Sequence, residues 1–321
     1  MNVNLNEVEV TINSTFSLAG TLSIPTGTTH PIPAILIISG TGKNDRNGNG
    51  KGLNVNIYKD IADILGKMGF ATLRYDKRGT HASGGVFNET GLWDLVDDSI
   101  ACVRFLKSRP EVDPYRIFIF GHSEGASIAP IVHTKEPVHG LMLISGAVEN
   151  LVHDTIPRQT GQALEELEHA KGIKGFLIRL LKLKDKAKRQ NAAFIEKVLS
   201  STTPTIKFKG KKIGAKWFRE HAELNILDYV SQISCPILAI TGSNDLQTPP
   251  NHARKFAEAA KGEAEWHIIP HMNHILRKYE KPHTMLGLLK EYKSLFTTPI
   301  DTEFTELLEQ WLRKHTTNQP T

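Results

Sequence analysis

The sequence predicts an α/β protein: a mostly parallel central sheet flanked by helices, interrupted by an inserted helical segment. Three observations carry this prediction. Short apolar runs without polar alternation recur at 34–38 (AILII), 117–120 (IFIF), 140–144 (GLMLI) and 236–240 (PILAI), as in strands covered on both faces. Between most of them lie segments with helical spacing, so strand and helix alternate in the manner of right-handed parallel crossovers. From 149 to 225 the strand-like runs stop, over a length that no plain loop reaches.

At 321 residues, 40% apolar and 23% charged, the chain has an ordinary globular composition, which argues against extensive disorder. The opening MNVNLNEVEVTIN lacks the basic and apolar regions of a secretory leader, and no stretch approaches about 18 uninterrupted apolar residues. A cytoplasmic protein without integral membrane association is expected. Cys102 and Cys235 have no metal-type spacing and read as buried thiols.

The elements follow in order. Residues 8–12 and 18–24 alternate apolar and polar and flank a turn-prone Asn13-Ser14, which predicts an antiparallel hairpin at the sheet's edge. Strand 34–38 runs into a glycine-rich loop, SGTGKNDRNGNG. This loop is not a phosphate-binding P-loop, since Ile37 and Asn44 stand where glycine and Ser or Thr are needed. Nor does it complete a calcium loop, because Asn56 replaces the bidentate glutamate. It reads as a flexible turn at the carboxyl end of a strand, where open α/β sheets bind ligands.

A helix is expected over 57–68, a strand over 71–75 ending in Asp76-Lys77-Arg78-Gly79, and a helix over 92–107 with Leu92, Leu95, Val96, Ile100, Val103 and Leu106 on one side. After the insertion come strand 236–240, helix 252–260, strand 264–269 and an amphipathic C-terminal helix carrying Phe304, Leu307, Leu308, Trp311 and Leu312. The expected organisation is a core of 1–148 and 226–321 with a helical cap of 149–225. The cap is strongly basic: Lys171, Lys174, Arg179, Lys182, Lys184, Lys186, Lys188 and Arg189 are followed by Lys207, Lys209, Lys211, Lys212 and Lys216. It accounts for the net charge of +5, and a solvated helix face is the expected reading, with no nucleic-acid partner.

The stretch 116–130, RIFIFGHSEGASIAP, joins a buried strand to a buried helix through Gly121-His122-Ser123-Glu124-Gly125. This fits the G-x-S-x-G nucleophile elbow, in which the serine occupies a strained turn and small residues let strand and helix approach closely. A serine hydroxyl needs a positioned base, and the base needs an orienting group. Chain order Ser, acid, His and placement in loops after strands point to Asp245 as the acid, with Glu149 as the alternative, and to His274 as the base, with His271 as its rival. His267, His271 and His274 have helical spacing in a strand-and-loop context, so no metal site is expected. The oxyanion of acyl transfer needs two backbone N–H donors. Glu124, after the nucleophile, supplies one, and Thr41 is preferred over Gly40 or Gly42 for the other.

These motifs resemble a capped serine hydrolase of the α/β-hydrolase superfamily, similar to bacterial carboxylesterases related to the prolyl-oligopeptidase and dienelactone-hydrolase groups. SGTGKNDRNG is similar to the oxyanion loop, YDKRG and VDPYRIFIFGHSEG to a core strand and the elbow, PILAITGSNDLQTPP to the acid loop and MNH to the histidine loop. The Asn273-His274 pair favours His274 over His271. The chain departs from the pattern at Ser39, where many relatives carry histidine, and in its basic cap.

The resemblance implies a cofactor-free carboxylesterase acting on small to medium acyl esters, with a small-molecule ester as its partner. The cap would wall an acyl pocket with residues such as Phe176, Leu177, Trp217 and Phe218. An acyl thioesterase or a small-peptide or acylaminoacyl hydrolase would use the same triad, and a catalytically silent ligand-binding protein on the same fold is the non-enzymatic alternative.

Overall fold

The computed structural model describes residues 4–28, 31–170, 172 and 183–317. Its strands are β1 (Leu5–Asn13), β2 (Ser17–Pro25), β3 (Ile32–Ile38), β4 (Ala71–Tyr75), β5 (Val112–His122), β6 (Gly140–Ile144), β7 (Thr205–Phe208), β8 (Lys211–Gly214), β9 (Ile237–Gly242) and β10 (Ala264–Ile269). Eight of them form one sheet in the order β1-β2-β4-β3-β5-β6-β9-β10, while β7 and β8 pair apart. The β1–β2 hairpin is antiparallel from Leu5↔Pro25 to Asn13↔Ser17, and β2 runs antiparallel to β4. From β4 to β10 every pairing is parallel. The carboxyl ends of six strands therefore open onto one edge of the sheet.

The uninterrupted apolar runs reflect burial on both faces. In β5, Ile117 and Ile119 pack into one core layer while Phe118 and Phe120 face the other, the alternation a pleated strand imposes. The first layer is closed by α2 (Leu92–Lys107), α3 (Glu124–Lys135) and α8 (His252–Ala259). The second is closed by α1 (Ile57–Lys67) and α10 (Thr302–Thr317). The remaining helices are α4 (Ile156–Glu168), α5 (Leu183–Leu199), α6 (Ala215–Glu223), α7 (Ile226–Val230) and α9 (Leu288–Ser294).

Strands β6 and β9 are neighbours in the sheet, so α4, α5, β7, β8, α6 and α7 all leave and re-enter between two adjacent strands. Here the purely helical expectation for 149–225 is corrected by the β7–β8 hairpin. Its reversal is made by Lys209 and Gly210, both with positive φ, the conformation that two-residue hairpin turns require. Ile206, Phe208 and Ile213 are half-buried while Lys207, Lys211 and Lys212 are exposed. The Phe208 ring meets Phe194 of α5 edge to face at 5.0 Å. Four-residue strands rich in lysine give too short an alternation to stand out in sequence.

Of the basic residues expected in this segment, Lys171, Lys174, Arg179 and Lys182 lie outside the described residues, as do Phe176 and Leu177. Helix α9 is a further element without a sequence signal strong enough to predict it. No helix among the described residues is long and apolar enough to cross a membrane.

Candidate active site

Ser123 occupies the turn between β5 and α3 with φ 56° and ψ −116°, a strained conformation for a residue with a side chain. The flanking glycines show why the turn needs small residues. A Cβ on Gly121 would stand 2.3 Å from the Gly125 carbonyl oxygen, and one on Gly125 would stand 2.1 Å from that of Ile38. The elbow is anchored by Ser123 N–H donating to Ile144 O at 2.9 Å, which ties it to β6.

Asp245 and His274 follow β9 and β10, neighbouring parallel strands. The His274 Nδ1–H donates to Asp245 Oδ2 at 2.8 Å, which leaves Nε2 as an acceptor. Asp245 Oδ1 accepts the backbone N–H groups of Gln247 and Thr248 at 2.8 and 2.9 Å. A carboxylate held this way orients the ring and fixes its tautomer. Both side chains are buried. Ser123 and His274 line one cavity of about 650 Å³ together with Thr41 and Glu124. His271 is exposed and does not line this cavity. Glu149 lines it but pairs with Arg158 at 2.7 Å. The three histidines His267, His271 and His274 form no common ligand cluster among the described residues.

Tyr58 and His122 tie the loop after β3 to the loop that carries His274. Gly40 N–H donates to Tyr58 Oη at 2.7 Å, Tyr58 lies 3.0 Å from His122 Nδ1, and His122 Nε2 lies 2.9 Å from His274 O. A carbonyl can only accept, so His122 carries its proton on Nε2 and at Nδ1 accepts the hydrogen bond that the Tyr58 hydroxyl donates. Burial, with the nearby His274, pushes His122 down to about 3, which keeps it neutral. The Gly40 amide is thereby engaged, whereas among the described residues neither the Thr41 nor the Glu124 amide donates to a protein acceptor.

The Glu124 side chain is the residue whose role sequence reasoning missed, because only its backbone was considered. Its Oε2 accepts from Lys77 Nζ at 2.6 Å, while Oε1 accepts from Trp217 Nε1 at 2.7 Å and faces His221 Nε2 at 3.2 Å. Burial alone would raise its pKa, but the Lys77 charge, the contacts to His221 and the Lys77 hydrogen bond outweigh that and hold it far below the usual carboxylate range. Lys77 also donates to Gly40 O at 2.7 Å. A signal existed: three consecutive charges, Asp76-Lys77-Arg78, directly follow a buried strand. Each is paired, Asp76 with Arg46 and Arg78 with Asp98.

The walls contributed by the segment between β6 and β9 include Leu151, Ile156, Trp217, Phe218 and Leu224. Leu53, Val55 and Ile57 also line the cavity, which is largely apolar, and Asn150, Gln159 and Gln247 place polar groups at its wall.

A parallel sheet with an elbow serine, a histidine loop and an acid loop at one edge is the α/β-hydrolase fold. The chain belongs to the serine aminopeptidase, S33 family, whose model matches residues 49–281. It is 25% identical over 293 residues to esterase EstD of Thermotoga maritima, an alignment that covers 90% of this chain and 64% of that protein. Among solved structures, Est1E from Butyrivibrio proteoclasticus aligns with a TM-score of 0.61 at 18% identity, covering 97% of this chain and 99% of that one. The Pyrococcus furiosus esterase Pf2001 aligns with a TM-score of 0.60 at 15% identity, covering 98% and 92%. At these identities the two structures speak for the fold alone.

Proposed function

We propose that this chain is a serine carboxylesterase that cleaves small to medium acyl esters through a Ser123–His274–Asp245 triad. The observation that carries the reading is the doubly capped Asp245 carboxylate bonded to His274 Nδ1, with the ring and the strained Ser123 on one cavity. His274 Nε2 takes the Ser123 proton as Oγ attacks the ester carbonyl, and Asp245 stabilises the imidazolium. The tetrahedral oxyanion is received by the Thr41 and Glu124 amides. The imidazolium then protonates the departing alcohol oxygen, leaving an acyl-enzyme that water hydrolyses by the same steps. Residues 149–225 serve as a cap over the core of 1–148 and 226–321, and its apolar wall holds the acyl group. A cytoplasmic setting belongs to this reading and is supported by Cys102 and Cys235 being free thiols.

The family description raises a second reading, an aminopeptidase. Such an enzyme must recognise a substrate ammonium, for which an unpaired carboxylate is the natural partner. The two carboxylates lining the cavity among the described residues are both paired, Glu124 with Lys77 and Glu149 with Arg158. An amine also leaves only when well protonated, whereas an alkoxide leaves with little help. The similarity to EstD points the same way.

Matched 4-nitrophenyl esters and amino-acyl 4-nitroanilides test the choice. Esters are expected to be cleaved with kcat/KM at least ~100-fold higher, a gap of about 2.7 kcal/mol. A fluorophosphonate is expected to label wild type once and Ser123→Ala not at all. Comparable efficiency on the anilides would favour the peptidase, and full labelling of the alanine variant would remove Ser123 as nucleophile.

A further inference from the structure

We infer that Lys77 is the positioning residue of the oxyanion hole, holding both donor amides through one buried ammonium; the inference rests on the serine hydrolase reading above. The peptide unit that joins Gly40 to Thr41 is planar and trans, so its C=O and N–H point in opposite directions as one rigid group. Lys77 Nζ holds the Gly40 carbonyl at 2.7 Å. The direction of the Thr41 N–H is therefore set by a contact on the far side of the same plane. The cation also draws electron density toward the carbonyl oxygen and makes that N–H a stronger donor.

The same ammonium binds Glu124 Oε2 at 2.6 Å, and Glu124 owns the second donor amide. Its φ and ψ start α3 directly after the strained elbow, so its side-chain anchor restrains the residue where the helix begins. The Lys77 and Glu124 side chains are 3% and 2% exposed. A buried ion pair gives little net stability compared with apolar residues of like volume. What this pair supplies is orientation: it spans the loop after β3, the loop after β4 and the first residue of α3, three segments that a sheet edge alone does not lock together. Trp217 and His221 of α6 complete the shell around the other Glu124 oxygen.

The test uses Lys77→Met, Glu124→Gln and the double variant in the full chain, with 4-nitrophenyl ester kinetics, the fluorophosphonate labelling rate and thermal unfolding read side by side. Removing one oxyanion donor costs about 10²–10³ in kcat in a hydrolase of this type. Lys77→Met is expected to lose roughly 100-fold in kcat and a similar factor in labelling rate, with KM within about threefold. Glu124→Gln keeps the Lys77 contact to Gly40 and is expected to lose less than about tenfold.

The double variant removes both charges, so no unpaired buried charge remains to destabilise the fold. It is expected to unfold close to the wild-type temperature yet stay as slow as Lys77→Met. Recovery of the double variant to within about tenfold of wild type would show charge balance rather than orientation and overturn the proposal. A rise in KM with kcat unchanged, or a labelling rate equal to wild type in Lys77→Met, would overturn it as well. Wild type that labels but does not turn over esters would overturn the esterase reading instead, and the labelling ratios would still decide the role of Lys77.

Discussion

The two flanks of Ser123 are held in different ways. On the base side, Asp245 and His274 come from the ends of adjacent parallel strands, and Asp245 is capped by amides of its own loop, two and three residues ahead. On the oxyanion side, Glu124 is reached by Lys77 from 47 residues away and by Trp217 from 93 residues away. The first flank is a product of strand adjacency and a local turn. The second is assembled from four distant segments, the loops after β3 and β4, the start of α3, and α6, which lies between β6 and β9. A base must rotate a single ring into place, and short-range anchors suffice for that. In the proposed mechanism two amides, of Thr41 and Glu124, must converge on one small atom, and the Lys77 side chain touches the segments that carry both.

The sharpest way to break the base side is His274→Ala, expected to lower kcat by at least about 10⁴-fold, roughly 5.5 kcal/mol. His271→Ala is expected to stay within about threefold of wild type, since that side chain is exposed and outside the cavity. Ester kinetics on the two variants check the pair, and the reverse ranking would move the base to His271.

His122 lies behind both flanks, and its effect is read in stability rather than rate. Its folded pKa of about 3 is below the unfolded value of about 6.5. On acidification the unfolded chain takes the proton first, so stability is fully present above about pH 6.5 and is lost as pH falls toward 3. Between pH 6.5 and 4.5 wild type should lose about 2 kcal/mol more than His122→Gln. Burial also pushes His133, His252 and His315 down, and they add the same slope to both proteins. Urea unfolding at the two pH values measures the difference, and parallel losses would remove His122 as a buried neutral group.

The smallest effect sharpens the oxyanion side. Trp217→Phe keeps the ring that meets Phe218 edge to face at 4.9 Å but deletes the N–H donated to Glu124. With Lys77 still in place, kcat is expected to fall roughly three- to tenfold, about 1 kcal/mol. Steady-state kinetics would show it, and an unchanged kcat would mean that α6 does not act on Glu124.

Much of the sheet is legible in the sequence. The double burial of β3, β5, β6 and β9 leaves four or five apolar residues in a row, and α2 spans the expected 92–107 because its 3.6-residue period is long and clean. The elbow was legible for a steric reason, since a Cβ on Gly121 or Gly125 would stand within 2.3 Å of a backbone carbonyl oxygen. The β7–β8 hairpin was not, because its three apolar side chains, Ile206, Phe208 and Ile213, are interspersed with lysines. Helix α9 was too short for a period to emerge.

By itself the sequence determined what depends on near neighbours in the chain: strand and helix periods, the strained turn at Ser123, and the loops that carry Asp245 and His274 after their strands. The tertiary structure decided what depends on segments far apart. It put the Lys77 ammonium between the Gly40 carbonyl and the Glu124 carboxylate, engaged the Gly40 amide with Tyr58, and brought Trp217 and His221 onto Glu124. The physical reason is that a repeating pattern of burial marks the sequence many times over, whereas one ion pair between buried residues marks it once at each end, with nothing local to say that the two ends meet.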